Sequence, residues 1–152
     1  MSGKAMRETL GFLAVVVGIV FVGLELRQNR DLMRAQIRHE LSTVIVEMQM
    51  ATAQNLQFAS VMRRGHAGEE LSPDELAQFE FKSNAIFRYW ENVHYQYREG
   101  LYDDVEFLSH RDAWAGYLGR SQAAVSFWCS YRGTYSPEFR EALDEILSTF
   151  RC

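Results

Sequence analysis

The chain has two prolines among its 152 residues, Pro73 and Pro137, and each follows a serine at a point where a helix can begin. Proline suits the first helical position, where its missing N–H is one of the unpaired donors anyway. So few turn-formers argue for an all-α chain rather than a sheet with many connections. Cysteine is equally scarce. Cys129 and Cys152 form no C-x-x-C pair, and two thiols cannot make a disulfide scaffold. This supports a reducing compartment, with Cys129 expected as a small core residue and Cys152 as a frayed terminus.

An excess of positive charge is missing as well. The net charge is −4, and residues 66–112 hold eleven acidic residues against four basic ones. A nucleic-acid binder needs a basic footprint, so this function is excluded. Catalytic signatures are lacking too. There is no G-x-S-x-G, no P-loop, no Rossmann glycine pattern and no H-E-x-x-H. Cys129 sits between Trp128 and Ser130, with no charged neighbour in sequence to lower its pKa. No catalytic residue and no cofactor is therefore assigned, although a site assembled across helices would leave no such local mark.

One stretch lacks charge altogether, and the rest of the chain is organised around it. Leu10 to Leu24 reads LGFLAVVVGIVFVGL. With Thr9 and Leu26 it approaches the roughly 17–25 residues that a membrane-spanning helix needs. The apolar character runs all round the helix, unlike the one-sided pattern of a surface helix. A buried core helix and a secretory signal are the competing readings. No A-x-A-type site follows and Glu25-Leu26-Arg27 comes directly after, so an uncleaved anchor is expected. Residues 1–26 are read as a membrane anchor and residues 27–152 as one helical soluble domain. Gly11, Ala14 and Gly18 share a face of the span, where small residues let a second membrane helix approach.

Arg27, Arg30, Arg34 and Arg38 follow the span at steps of three, four and four. On a continuing helix they lie within about 80° of one another, a stripe suited to anionic lipid headgroups. Asp31, four residues after Arg27, partly neutralises it. Lys4 and Arg7 precede the span and four arginines follow it, so the positive-inside rule puts the domain in the cytoplasm. The margin is thin, because the free N-terminal amine also counts.

Past the arginines, Met33, Ile37, Leu41, Val44, Met48 and Ala51 recur at helical spacing and predict a core-facing stripe. Whether the first helix is one rod or bends near Gln28-Asn29 is left open. Asn55 is expected to cap a helix from Leu56 to Arg64 that Gly65 ends in a left-handed conformation. Ser72-Pro73-Asp74-Glu75 carries a capping box, with Leu71 and Leu76 as a hydrophobic staple, and starts a helix that Gly100 ends. Its core stripe is Phe79, Ile86, Trp90, Val93 and Tyr97. Asp103 to Glu106 repeats the box with a Tyr102–Phe107 staple, before a helix bearing Phe107, Leu108, Trp114 and Leu118. Ser121 caps the next, with Val125, Phe127 and Trp128, which Gly133 ends. Ser136-Pro137-Glu138 starts the last, which reaches about Phe150.

Glu91 and His94 form Glu-x-x-His on a helix, a half-motif of the di-metal carboxylate sites in ferritin-like bundles. They are weak metal candidates. Glu106 with His110 is the nearest second pair, at the wrong spacing, and Glu40 and Glu47 could add oxygens. His94 equally fits an aromatic seam as a packed side chain.

Several segments together resemble a widespread bacterial family of uncharacterised small proteins with one N-terminal transmembrane helix. They are Gly23-Leu-Glu-Leu-Arg-Gln-Asn29, Phe87-Arg-Tyr-Trp-Glu-Asn92 with Tyr95-Gln-Tyr97 and Gly100-Leu101, and Tyr135-Ser-Pro-Glu-Phe-Arg140. The resemblance implies an anchor and a helical domain, carries no activity, substrate or cofactor, and implies an aromatic residue at the position of His94. The resulting expectation is an all-α protein whose transmembrane helix continues into a bundle of about five helices. It would be an accessory, assembly or scaffolding subunit of a bacterial inner-membrane complex. Its partners would be membrane lipid and either a membrane protein or further copies of itself. The alternatives are a metal-dependent oxidoreductase using Glu91 and His94, and a sensor reading anionic lipid through the arginines.

Overall fold

The structure is a computed structural model that describes residues 3–147 and Cys152, with only the backbone described at Ala5 and Met6. Among the described residues there are helices and no strand. They are α1 (Gly3–Ala53), α2 (Leu56–His66), α3 (Pro73–Arg98), α4 (Asp104–Leu118), α5 (Gln122–Tyr131) and α6 (Pro137–Ile146), with a 3-10 turn at Arg132–Thr134. The expected end of α6 near Phe150 lies outside the described residues. The chain divides into two units, Met1–Gln36 and Ile37–Cys152. α1 is unbroken through Gln28 and Asn29, which answers the open question of a bend there.

In the first unit α1 is apolar on every side from Leu10 to Leu24. Its best 18-residue window has a mean hydropathy of 2.4 with none of it buried, so this helix is long and apolar enough to cross a membrane. Phe12 is 70% exposed and Ile19 66%, exposures that water would penalise and a bilayer would not.

In the second unit the core is aromatic. Phe87, Trp128 and Phe139 are fully buried and Trp114 is nearly so. Trp90 stacks on Trp114 at 5.3 Å between ring centroids, and Tyr97 stacks on Phe107 at 3.9 Å. A smaller apolar cluster of Val61, Met62 and Phe79 joins α2 to α3.

Local chemistry explains most helix ends. Asn55 accepts the Phe58 N–H, and Ser72 and Glu75 complete the expected capping box. The end of α3 is a Schellman motif. Gly100 has a φ of +69°, its N–H reaches the Tyr97 carbonyl, and the Leu101 N–H reaches that of Gln96.

Several expectations are corrected. Gly65 does not end α2, which continues to His66, and the left-handed glycine is Gly68, at φ +73°. Gly65 is instead a close-packing residue, since a Cβ there would stand 2.4 Å from the Phe79 ring. Asp103 caps α4 through the Val105 N–H, but no box closes, because Glu106 pairs with Arg38 at 2.6 Å. The Tyr102–Phe107 staple gives way to Tyr97 on Phe107, and Tyr102 bonds His110. Leu76 and Leu108 stand exposed rather than packed. Ser136 makes no side-chain cap, and α5 ends at Tyr131 with Gly133 inside the 3-10 turn. The buried stripe of α1 is Ile37, Leu41, Ile45, Met48 and Thr52, while Met33 and Val44 are exposed. Both stripes have helical period, and the packing of α1 on the core selects the phase through Ile45.

The cysteines are also corrected. Cys129 and Cys152 form a disulfide with a Cα–Cα distance of 5.2 Å, inside the usual range. Cys129 is half-buried against the core rather than a free core thiol.

Candidate functional site

The last turns of α1 and one side each of α2, α3 and α4 enclose a cavity of about 560 Å³, within the second unit. That volume falls in the roughly 300–1,000 Å³ range of small-molecule sites. α1 contributes Ile45, Met48 and Thr52 to the wall, and α2 contributes Met62 and His66. From α3 come Lys82, Ile86, Tyr89 and Trp90. α4 supplies His110, Trp114 and Tyr117, and Arg120 follows it in the turn to α5. Apolar and aromatic groups therefore form the body of the cavity, and a few polar groups converge on it.

Those polar groups are held from behind. The Lys82 ammonium donates to the Met48 carbonyl at 2.5 Å, across 34 positions of sequence. Burial pushes its pKa below the usual lysine value. His66 Nδ1 lies 2.7 Å from the Ser121 hydroxyl, and its Nε2 lies 3.3 Å from the Tyr117 hydroxyl. Ser121 already accepts the Ala124 N–H as the cap of α5, so its own hydrogen is available to His66 Nδ1. His110 Nε2 lies 2.9 Å from the Tyr102 hydroxyl. Burial lowers the pKa of both histidines below 6.5, with Glu106 partly opposing this at His110, so both rings are neutral near pH 7. Burial also raises the Tyr89 hydroxyl to about 12, with Tyr102 adding to the shift. Trp114 is buried, and among the described residues its indole N–H has no hydrogen-bond partner.

The sequence-derived metal candidates lie elsewhere and are otherwise engaged. Glu91 accepts the Ser136 N–H at 2.7 Å and pairs with Arg88 at 2.7 Å, so it secures the first turn of α6. Burial pushes its pKa up, but those hydrogen bonds and the Arg88 charge outweigh burial and hold it low. His94 is buried between Phe107 and Phe139, each ring centroid 5.9 Å away. Burial lowers its pKa, and Arg98 adds to the effect. Glu106 pairs with Arg38 and His110 bonds Tyr102, so the nearest second pair converges on nothing. Among the described residues no group of three His, Cys, Asp or Glu is placed to hold a metal ion.

On the first unit, Gly11 and Gly18 have nothing within 4 Å of an added Cβ, and Ala14 is exposed. Arg27, Arg30 and Arg34 are exposed, and Arg38 is bonded to Glu106.

Lys82, Arg120, His66 and Tyr117 escaped the sequence reading because three helices and a turn contribute one or two residues each, with no shared spacing. One signal existed. Lys82 is the only lysine after Lys4 in a chain that otherwise uses arginine for positive charge. Comparison with known proteins finds no family model, no curated protein and no solved structure that matches the chain.

Proposed function

We propose that the protein is a non-enzymatic accessory, assembly or scaffolding subunit of a bacterial inner-membrane complex, tethered by α1. The observation that carries this reading is the run from Leu10 to Leu26, whose large apolar side chains are exposed. An apolar helix with no protein around it needs lipid or another helix to cover it. The motif resemblance described above supports the same reading and keeps the chain with those single-span bacterial proteins.

Two observations bear on which side of the membrane the domain occupies, and they disagree. Four arginines follow the span, against Lys4 and Arg7 before it, which favours the cytoplasm by a small margin. The Cys129–Cys152 disulfide favours an oxidising compartment. The bond would be reduced in the cytoplasm, whereas so small a charge difference is a weak topological bias. We therefore assign the domain to the oxidising side.

The lipid-sensing alternative loses Arg38 from its stripe, because Arg38 pairs with Glu106. The metal-oxidoreductase alternative is not retained, because the Glu91 carboxylate is engaged by Ser136 and Arg88.

The test is gentle detergent extraction of the native protein, followed by sizing and mass spectrometry of what travels with it. A defined complex at fixed stoichiometry is the expected result. A lone monomer would remove the accessory role.

A further inference from the structure

The cavity has an electrostatic character opposite to that of the chain. The protein carries 20 acidic residues and a net charge of −4, yet no Asp or Glu lines this cavity. Lys82 and Arg120 do line it, and among the described residues neither forms an ion pair with a carboxylate. Several other cationic side chains of the helical domain have one: Arg64 with Glu75, Arg88 with Glu91, Arg111 with Glu145, and Arg132 with Asp144. A lysine held partly out of water with only a backbone carbonyl as partner is costly, and a bound anion would offset that cost.

The rest of the wall suits an apolar body. Trp90 and Trp114 stack on one another, and Tyr117 meets Trp90 edge-on at 5.4 Å. Trp114 also lines the cavity, with its ring almost fully buried. α1 makes its own contribution here, because Ile45, Met48 and Thr52 on its buried stripe form one wall.

We propose that this cavity binds a small amphipathic carboxylate, with its negative charge between Lys82 and Arg120 and a flat apolar body against the aromatic wall. The uncovered cations and the aromatic wall are then the two halves of one recognition site. This goes beyond the accessory role and does not depend on it, since a subunit can bind the ligand with or without its partner.

The experiment is calorimetric titration of the full chain in lipid nanodiscs, with protein-free discs as the blank. The probes are 2-naphthoate and its neutral counterpart 2-naphthamide. The expected result is one naphthoate per chain, bound at least about tenfold more tightly than naphthamide. Lys82→Gln and Arg120→Gln should each weaken naphthoate by about tenfold, with Arg120→Gln leaving naphthamide unchanged. Lys82 also supports Met48, so Lys82→Gln could disturb the wall itself. If it weakens both probes alike, the Arg120→Gln pair of titrations decides. Equal binding of the two probes, naphthoate indifferent to Arg120→Gln, or no heat above the blank would overturn the proposal. The titration reads the cavity alone, whereas co-migration reads the partner, so either can fail without the other.

Discussion

Trp128→Ala is expected to destabilise the helical domain by about 3–5 kcal/mol, the largest effect of any single side chain here. Trp128 is fully buried and joins three elements. Its ring lies 5.4 Å from Phe87 of α3, 5.1 Å from Tyr135 and 5.6 Å from Phe139 of α6. Its indole N–H donates to Asp144 at 3.1 Å. Truncation removes the apolar contacts, leaves a void that close-packed rings cannot collapse into, and costs Asp144 one of its donors. Arg132 still pairs with Asp144, so the carboxylate is not stranded. Denaturant unfolding of the detergent-solubilised full chain, followed by helical circular dichroism, measures the change. Phe81→Ala is the control. Phe81 is 76% exposed, and its loss should cost no more than about 0.5 kcal/mol. Similar midpoints for the two variants would contradict the assignment of the core.

The second large effect comes from the disulfide. It closes a segment spanning 23 positions, and restricting such a loop in the unfolded chain is worth about 3 kcal/mol in the chain-entropy account. Cys129→Ser changes the side chain little and should lower stability by about that amount under oxidising conditions. Reduction of the unaltered protein should bring it to the same stability as the variant. Equal stability of variant and oxidised parent would mean that the bond does not form. A maleimide probe in intact cells reads the compartment directly. Unreactive cysteines agree with a domain on the oxidising side, and two labelled thiols would return it to the cytoplasm, as the arginine asymmetry suggests.

Features set by neighbours in sequence were legible before the fold was known. The Ser72–Glu75 box, the Asn55 cap and the glycine end of α3 each depend on a few consecutive residues, and all three form as read. Asp103 and Glu106 carried the same local pattern, but Arg38 of α1 competes for Glu106, and that contact has no trace in local spacing. Gly65 looked like a terminator because glycine commonly is one. Its position is decided by the Phe79 ring, which packs where a Cβ would be. The α1 stripe was found with the right period and a shifted phase, because Val44 and Ile45 are equally apolar and only the partner helices choose between them. The disulfide is a long-range pairing and was missed for that reason. The cavity was invisible because its polar residues are scattered from His66 to Arg120, and what distinguishes it is that no acid is among the residues lining it. Glu91 and His94 share a helix at a suggestive interval, but local spacing did not show that Glu91 accepts the Ser136 N–H or that His94 packs between two aromatic rings.

The measurement that bears most directly on the account is alkaline carbonate extraction of membranes containing the full chain, with intact mass determined on whichever fraction holds it. The account predicts that the protein stays in the membrane pellet with Leu10–Leu24 still attached, and leaves it only with detergent. Release of the protein into the aqueous wash, or recovery of a form cleaved after the apolar stretch, would contradict the anchor on which the proposed role depends.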